Sequence, residues 1–305
     1  MKKIVRNLMI LSVAIAMFIA CSNEPEVTKQ GDVTIEDGAI KAAFSVSDSN
    51  QVYFSQGNLQ YQASTDVWRF AENQWNYVGT QMQDPDALTN SYIIGGTVNG
   101  SDNAYTSENY DGWIDLYGWG TSGFNGKNPY WTSTNYTNYG DGHDDIAGTN
   151  YDWGMNNAIS NGGKQAGLWR TLTDREWNYL IFDRSQANHL MGQGNVNNVN
   201  GLILLPDDWE TSSSVKFTYD PRNYSTNVYS LDEWAIMQSY GAVFLPAAGC
   251  RAGTRVYSGV YGNYWSSSAY GSTGAHDMRF ESDTVNTYSG LRDFGISVRL
   301  VQDVQ

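Results

Sequence analysis

Cysteine, histidine, proline and positive charge are all scarce in this 305-residue sequence. With two cysteines, Cys21 and Cys250, disulfides cannot hold a chain of this length together, so an apolar core must do so. The three histidines, His143, His189 and His276, lie far apart and lack the spacing of zinc ligands. Only 18 basic residues stand against 32 acidic ones, and the net charge of −14 disfavours binding to nucleic acid.

Common catalytic and nucleotide-binding motifs are also absent. We find no Gly-x-Ser-x-Gly elbow, no His-Glu-x-x-His pair and no phosphate-binding glycine loop. The Gly192-Gln193-Gly194 segment lacks the third glycine of a dinucleotide-binding fingerprint. Paired carboxylates for glycoside hydrolysis stay open because acidic residues are many, but no pair is singled out.

The sequence also lacks an apolar run long enough to cross a bilayer as a helix. Residues 8–20 form the most continuous run, 13 residues against the roughly 20 that a spanning helix needs. It follows the basic residues Lys2, Lys3 and Arg6. This arrangement predicts a targeting segment at residues 1–20, with an uncleaved signal anchor as the alternative.

The end of this segment, Phe18-Ile19-Ala20-Cys21, resembles a lipobox, with Phe18 at the usual leucine position. The resemblance implies that the chain is cut before Cys21 and that the Cys21 sulfur is acylated. Residues 21–38 are polar and acidic, which predicts a flexible tether. Ser22 and the acids after it resemble sorting signals for the outer face of the outer membrane of a Gram-negative bacterium. We therefore expect a surface-exposed lipoprotein that contacts the membrane only through its anchor.

The rest of the chain, residues 39–305, is predicted to form one folded domain. Aromatic residues make up 14% of the sequence and charged residues 16%, unlike a disordered chain. Residues 80–165 are rich in Gly, Asn, Tyr, Thr, Ser and Trp without a sustained period. We expect long loops there, held by Trp113, Trp119, Trp131 and Trp153, and such loops often carry function.

Short strands and two helices are predicted elsewhere. Capping boxes at Thr173–Glu176 and Ser230–Glu233 mark two helix starts, and Gly241 marks a stop. Gly57-Asn58 predicts a turn between strands. The first predicted strands are 52–54, 59–61 and 67–70, and two strands covered on both faces follow at 201–206 and 241–246. The last are 264–268, 276–280 and a half-buried strand at 296–301. The fold class is therefore α+β.

Two sets of residues resemble the formylglycine-generating-enzyme-like domains. The first is Trp169-Arg170-Thr171-Leu172-Thr173 with Glu176-Trp177, and the second is residues 264–268 with 294–301. The resemblance implies a C-type-lectin-like fold, with two short helices on small antiparallel sheets and long aromatic-rich loops. The oxidase activity does not carry over, because that chemistry uses a pair of cysteines and only Cys250 follows the tether. The calcium motifs of lectins are absent as well.

Residues 255–293 resemble the retroelement-diversified ligand segment found in some bacterial proteins of this fold. Tyr, Ser, Gly and Asn supply 19 of these 39 residues. Antibody paratopes use the same types, because tyrosine gives rigid contact area and the small residues adapt their hydrogen bonds. The alternative is that the family simply builds its loops this way. The candidate ligand contacts are Tyr257, Tyr261, Asn263, Tyr270, Ser272, His276, Asp277, Arg279, Asn286 and Tyr288.

One acidic turn offers oxygens to a metal. Asp141, Asp144 and Asp145 could contribute to a calcium site, although their spacing is not that of an EF-hand, and exposed acidic turns are commoner than calcium sites. We expect no cofactor, with calcium at this turn as the alternative.

Together these features predict a binding module rather than an enzyme. The expected partner is a glycan or protein ligand outside the cell. A polysaccharide-acting enzyme with unidentified carboxylates and a structural component such as a fimbrial tip remain as alternatives.

Overall fold

A computed structural model describes most of the chain from residue 33 onward. The described residues are 31, 33–78, 91–93, 108–142, 144–210, 215–253, 255–257 and 259–304, with the backbone alone at 91–93 and 255–257. The predicted targeting segment, Cys21 and most of the predicted tether lie outside these ranges. Within them, no helix is long and apolar enough to cross a membrane.

The described chain is a mixed α+β structure built mainly from short strands, as predicted. In chain order the strands are β1 (Ile35–Glu36), β2 (Ala39–Ile40), β3 (Phe44–Ser45), β4 (Gln51–Phe54), β5 (Leu59–Gln62), β6 (Val67–Phe70), β7 (Ser91–Ile93), β8 (Arg170–Thr171), β9 (Met191–Val196), β10 (Val199–Leu204), β11 (Asn227–Tyr229), β12 (Val243–Pro246), β13 (Cys250–Ala252), β14 (Arg255–Tyr257), β15 (Gly262–Tyr270), β16 (Gly274–Glu281), β17 (Thr284–Leu291) and β18 (Leu300–Asp303). They form small sheets in the orders β1-β2, β3-β4-β18-β8, β5-β6, β11-β9-β10-β12, β13-β14-β7 and β15-β16-β17.

Helices are few and short in the described residues. The α-helices are α1 (Trp153–Asn156), α2 (Asp174–Asn178) and α3 (Leu231–Ser239), and α2 continues as a π-helical turn at Tyr179–Asp183. Single 3-10 turns occur at Ala63–Thr65, Phe124–Gly126, Tyr136–Asn138 and Ala187–His189.

Both predicted capping boxes begin a helix. The Thr173 hydroxyl accepts the Glu176 amide at 3.2 Å, and the Glu176 carboxylate accepts the Thr173 amide at 2.8 Å. Ser230 and Glu233 repeat the exchange at the start of α3. The helix ends just before Gly241, which has a φ of 87°. The local signals therefore predicted both starts and the stop.

The two predicted apolar strands lie side by side in the core. They correspond to β10 and β12, which pair in antiparallel fashion with Leu202 opposite Leu245. Residues 201–204 and 243–246 are buried, as expected for strands covered on both faces.

The start and the end of the described chain meet in one core. An apolar cluster contains Ile40, Trp177, Leu245, Met278 and Val301. Strand β4 pairs with β18, and β1 pairs with β2. Residues 35–36 therefore belong to the fold, which begins a few residues inside the predicted tether.

The two strands that flank Gly57-Asn58 do not pair with each other. Strand β4 pairs with β3 and β18, whereas β5 pairs with β6. Glycine is required at position 57 because a Cβ there would lie 2.5 Å from the Ala71 carbonyl oxygen. The Asn58 carbonyl accepts the Ala71 amide at 2.8 Å, so this segment packs closely against the end of β6.

The C-terminal segment 296–301 is not the half-buried strand that its alternation predicts. Regular pairing begins only at Leu300, and the polar residues Ser297 and Arg299 are 0% and 1% exposed. The Arg299 guanidinium donates to Gln74 Oε1 at 2.9 Å, and burial lowers the pKa of Arg299 to about 10. A distant polar partner thus allows a charged side chain to lie inside the core.

The long loops after residue 108 are held by tryptophans, as predicted. Trp119 and Trp153 are fully buried, whereas Trp113 and Trp131 are half-buried. The indole of Trp119 donates to the Ser266 carbonyl at 2.8 Å, and that of Trp153 donates to the Thr121 carbonyl at 3.1 Å. These bonds fasten an irregular segment to β15 and to itself.

Candidate functional site

The sheet β15-β16-β17 places several predicted contact residues on one face. It is an antiparallel meander in which Asn263, Arg279 and Asn286 lie side by side across three strands. Asp277 and Tyr288 form the neighbouring pair on the same face, because side chains two residues apart on a strand point the same way. We call these five residues the Arg279 face. The opposite face is apolar and packs into the core through Tyr264, Met278, Phe280 and Val285.

Arg279 is held at two points on this face. Its Nη2 lies 3.5 Å from Asp277 Oδ2, and its guanidinium lies over the Tyr288 ring, 5.0 Å from the centroid. The Arg279 side chain is 27% exposed, while that of Asp277 is 1% exposed. Burial raises the pKa of Asp277 to about 6, and the Arg279 charge opposes this rise. At neutral pH the carboxylate is therefore ionised and fixes the cation at the surface.

Three buried polar atoms on this face lack a hydrogen-bond partner among the described residues. They are Asn263 Oδ1, Asp277 Oδ1 and Arg279 Nε. Most buried polar atoms in native proteins are paired, so a cluster of unpaired ones is unusual. Asn263 and Asp277, expected as surface contacts, are only 4% and 2% exposed. In this conformation both side chains lie below the surface and support it. Arg279, Asn286 and Tyr288 form the accessible part of the face.

Gly290 lies close to the buried Asp277 carboxylate and adds no side chain of its own to the face. A Cβ built on Gly290 would lie 3.8 Å from Asp277 Oδ1 and 4.0 Å from both Phe294 and Trp265. Every other side chain would therefore add atoms above the carboxylate. Gly290 is not among the candidates predicted from the sequence, although the strand alternation of residues 284–291 places it two positions after Tyr288.

Cys250 and Tyr261 lie beside the Arg279 face. The Cys250 sulfur is 3.2 Å from the Tyr261 hydroxyl. Burial raises the pKa of the Cys250 thiol, with the charges of Arg279 and Asp277 close enough to influence it. The thiol therefore stays protonated at neutral pH, a form in which cysteine is a poor nucleophile. The two side chains pack beside the face.

The other predicted contacts form a second group. His276 belongs to the opposite side of β16, where its Nδ1 lies 3.6 Å from Asp174 Oδ1. The ring of Tyr270, which is 57% exposed, meets His276 edge to face at 5.1 Å. Ser272 is exposed in the β15–β16 turn, and the side chain of Tyr257 lies outside the described residues. The ten candidates thus do not share one surface.

The acidic turn is a connection between segments. The Asp144 amide donates to the Asp141 carbonyl at 3.1 Å, and Asp145 Oδ1 accepts the Ala269 amide of β15 at 2.7 Å. Among the described residues, which omit 143, no three His, Cys, Asp or Glu side chains are grouped so that they could hold a metal ion. Asp145 is thereby used to fasten the turn to the sheet.

Arg170 and Glu176 form ion pairs that connect three elements of the fold. Arg170 Nη2 lies 2.7 Å from Glu176 Oε1 and 2.7 Å from Asp303 Oδ1. This pair of contacts links β8, the start of α2 and the end of β18. These ion pairs account for both residues without a catalytic role.

Comparison with other proteins gives no relative to draw on. No protein-family model matches the sequence, and neither the curated proteins nor the solved structures include a match.

Proposed function

We propose that this chain is a surface lipoprotein with a C-type-lectin-like domain that binds a glycan or protein ligand through the Arg279 face. The short helices, small antiparallel sheets and long aromatic-rich loops support such a fold without being specific to it. The lipobox-like sequence around Cys21 supports anchoring at the outer membrane.

One observation carries the assignment of the face. Arg279 contacts both the Asp277 carboxylate and the Tyr288 ring, while its side chain is 27% exposed. The Nη1 group donates to no described residue, so its hydrogens are available to a carbonyl, hydroxyl or carboxylate of a ligand. A side chain that is already fixed loses little entropy on binding.

The residue types of the face agree with this role. Arginine and tyrosine are enriched among the residues that contribute most to interface energy. Tyr288 is 38% exposed and Asn286 is exposed, so both can contact a ligand that reaches Arg279. Tyrosine supplies contact area with only two side-chain torsions to order.

The test is a binding screen of the chain without residues 1–20 on glycan and protein arrays, with and without calcium. We expect saturable binding that is insensitive to chelation, since no metal group is required by the face. Calcium-dependent binding would instead assign recognition to the acidic turn. Turnover of a glycan, or no binding by a folded sample, would contradict the proposal.

A further inference from the structure

A polar cleft of about 360 Å³ lies apart from the Arg279 face and shares no lining residue with it. This volume falls within the range of roughly 300–1,000 Å³ that is usual for small-molecule sites. Its walls include the rings of Tyr61, Trp68 and Tyr130 and the polar side chains of Asp66, Glu108 and Asn156. None of these residues is among the candidates predicted from the sequence.

The aromatic wall is held rigidly. Tyr61 and Trp68 face each other across the β5–β6 pair, with ring centroids 4.5 Å apart. The Tyr61 hydroxyl donates to Asp66 Oδ1 at 3.0 Å, which fixes the carboxylate beside the rings. Tyr61 and Trp68 are almost fully buried, whereas Tyr130 is only half-buried and supplies the accessible ring.

The polar wall is held equally firmly. The side-chain amides of Asn156 and Asn157 both donate to the Ser122 carbonyl, at 3.0 and 2.9 Å. The side-chain oxygen of Asn156, Oδ1, accepts no hydrogen bond from the described residues and can accept one from a ligand. Burial, with the Glu108 charge nearby, raises the pKa of Tyr130, so its hydroxyl remains protonated at neutral pH.

The charge of the cleft restricts its ligand. Two carboxylates, Asp66 and Glu108, line it, and none of its described lining residues is Lys, Arg or His. Anions are therefore disfavoured, and acceptor oxygens outnumber fixed donors. A ligand that fits must offer many hydroxyl donors and an apolar surface for a ring.

We infer that this cleft binds a neutral saccharide. Sugar hydroxyls would donate to the Asp66 and Glu108 carboxylates and to the Asn156 carbonyl oxygen. The apolar C–H face of a pyranose would pack on the Tyr130 ring. The cleft and the Arg279 face are separate surfaces. An experiment can therefore refute binding at one of them without refuting binding at the other.

The test uses the protein purified after expression of the full chain. A panel of neutral mono- and disaccharides is titrated by ligand-detected NMR, alongside glucuronic acid and tetramethylammonium as charged probes. The variants are Tyr130→Ala and Glu108→Ala. Their matched controls are Tyr136→Ala, at a tyrosine that is 40% exposed elsewhere, and Glu210→Ala, at an exposed glutamate. Circular dichroism confirms that each variant is folded.

We expect saturable binding of a neutral saccharide that is at least tenfold weaker in both cleft variants and unchanged in both controls. Three results would overturn the inference: no panel member binds, the cleft variants bind as well as the controls, or a charged probe binds in preference to every neutral sugar. The Tyr288→Ala variant adds a further distinction, because it leaves saccharide binding in the cleft intact even if it removes recognition by the Arg279 face.

Discussion

The guanidinium of Arg279 lies 5.0 Å from the centroid of the Tyr288 ring, and the two residues are on adjacent strands of one sheet. A cation over an aromatic ring is stabilised by about 0.5–1 kcal/mol at exposed sites. The buried Asp277 carboxylate forms an ion pair with the same guanidinium. The face therefore presents a positive group whose position is set before any ligand arrives.

Removing the Asp277 charge should separate positioning from stability. We predict that Asp277→Asn leaves the melting temperature at pH 8 unchanged or higher, because burial already disfavours the ionised carboxylate. Arg279 would lose its ion pair and keep only the contact with the Tyr288 ring, so its position would be less fixed and ligand affinity should fall about tenfold, or 1.4 kcal/mol. Calorimetric unfolding and a binding titration measure the two effects. Unchanged affinity would show that Asp277 does not position Arg279.

A large side chain at position 290 should obstruct the Arg279 face without harming the fold. Gly290 has no positive φ, and a Cβ there meets no atom closer than 3.8 Å. We predict that Gly290→Ala folds with wild-type stability, whereas Gly290→Leu lowers ligand affinity several-fold because its side chain obstructs the ligand beside Tyr288. Equal affinity of wild type, Gly290→Ala and Gly290→Leu would place the ligand elsewhere.

Local signals in the sequence predicted more than long-range ones did. The capping boxes at Thr173 and Ser230 depend on contacts three residues apart, so the sequence alone specifies them. The register that sets Asp277 opposite Tyr288 depends on strand pairing, and one residue of slip would reverse it. Sequence composition therefore indicated the segment that carries the face but not which side chains are buried within it.

The burial of Arg299 also could not be predicted from a local sequence pattern. Alternation along 296–301 predicted exposed polar positions, but Arg299 finds Gln74, more than 200 residues earlier, inside the core. Whether a polar residue is buried depends on a partner, and a distant partner is invisible to a pattern of local hydrophobicity.

Three buried carboxylates predict an unusual dependence of stability on pH. Burial raises the pKa of Asp115 to about 7 and that of Asp152 and Asp277 to about 6, all from an ordinary value of 3.8. The folded state thus holds these protons more tightly than the unfolded state. Their contribution to stability is complete below about pH 4 and is lost as the pH rises through 6 to 7.

We therefore predict a lower melting temperature at pH 8 than at pH 5. The difference should be several degrees, because 1 kcal/mol shifts the melting temperature of a large domain by about 2–4 °C. Scanning calorimetry across pH 4–8 measures it. The Asp115→Asn variant, which cannot ionise at that position, should show a smaller decline. Stability that increases from pH 5 to pH 8 would contradict these pKa shifts.

The proposed anchor predicts a loss of acylation in a single variant. Cys21→Ser should abolish acylation, because it removes the sulfur that accepts the lipid. Cys250→Ser is the matched control and should be acylated like the wild type. Incorporation of labelled palmitate into the immunoprecipitated protein measures both. Wild-type incorporation of palmitate by Cys21→Ser would contradict a lipid anchor at this residue.

The most direct test of the account is a comparison of ligand affinity between two double variants. One carries Arg279→Gln and Tyr288→Ala, and the control carries Arg175→Gln and Tyr219→Ala at exposed positions away from the face. Each is titrated with the ligand that the array screen selects, after calorimetry confirms folding. The account predicts at least a hundredfold loss in the first variant and wild-type affinity in the second. Equal affinity in the two variants would contradict the assignment of the Arg279 face as the ligand-binding surface.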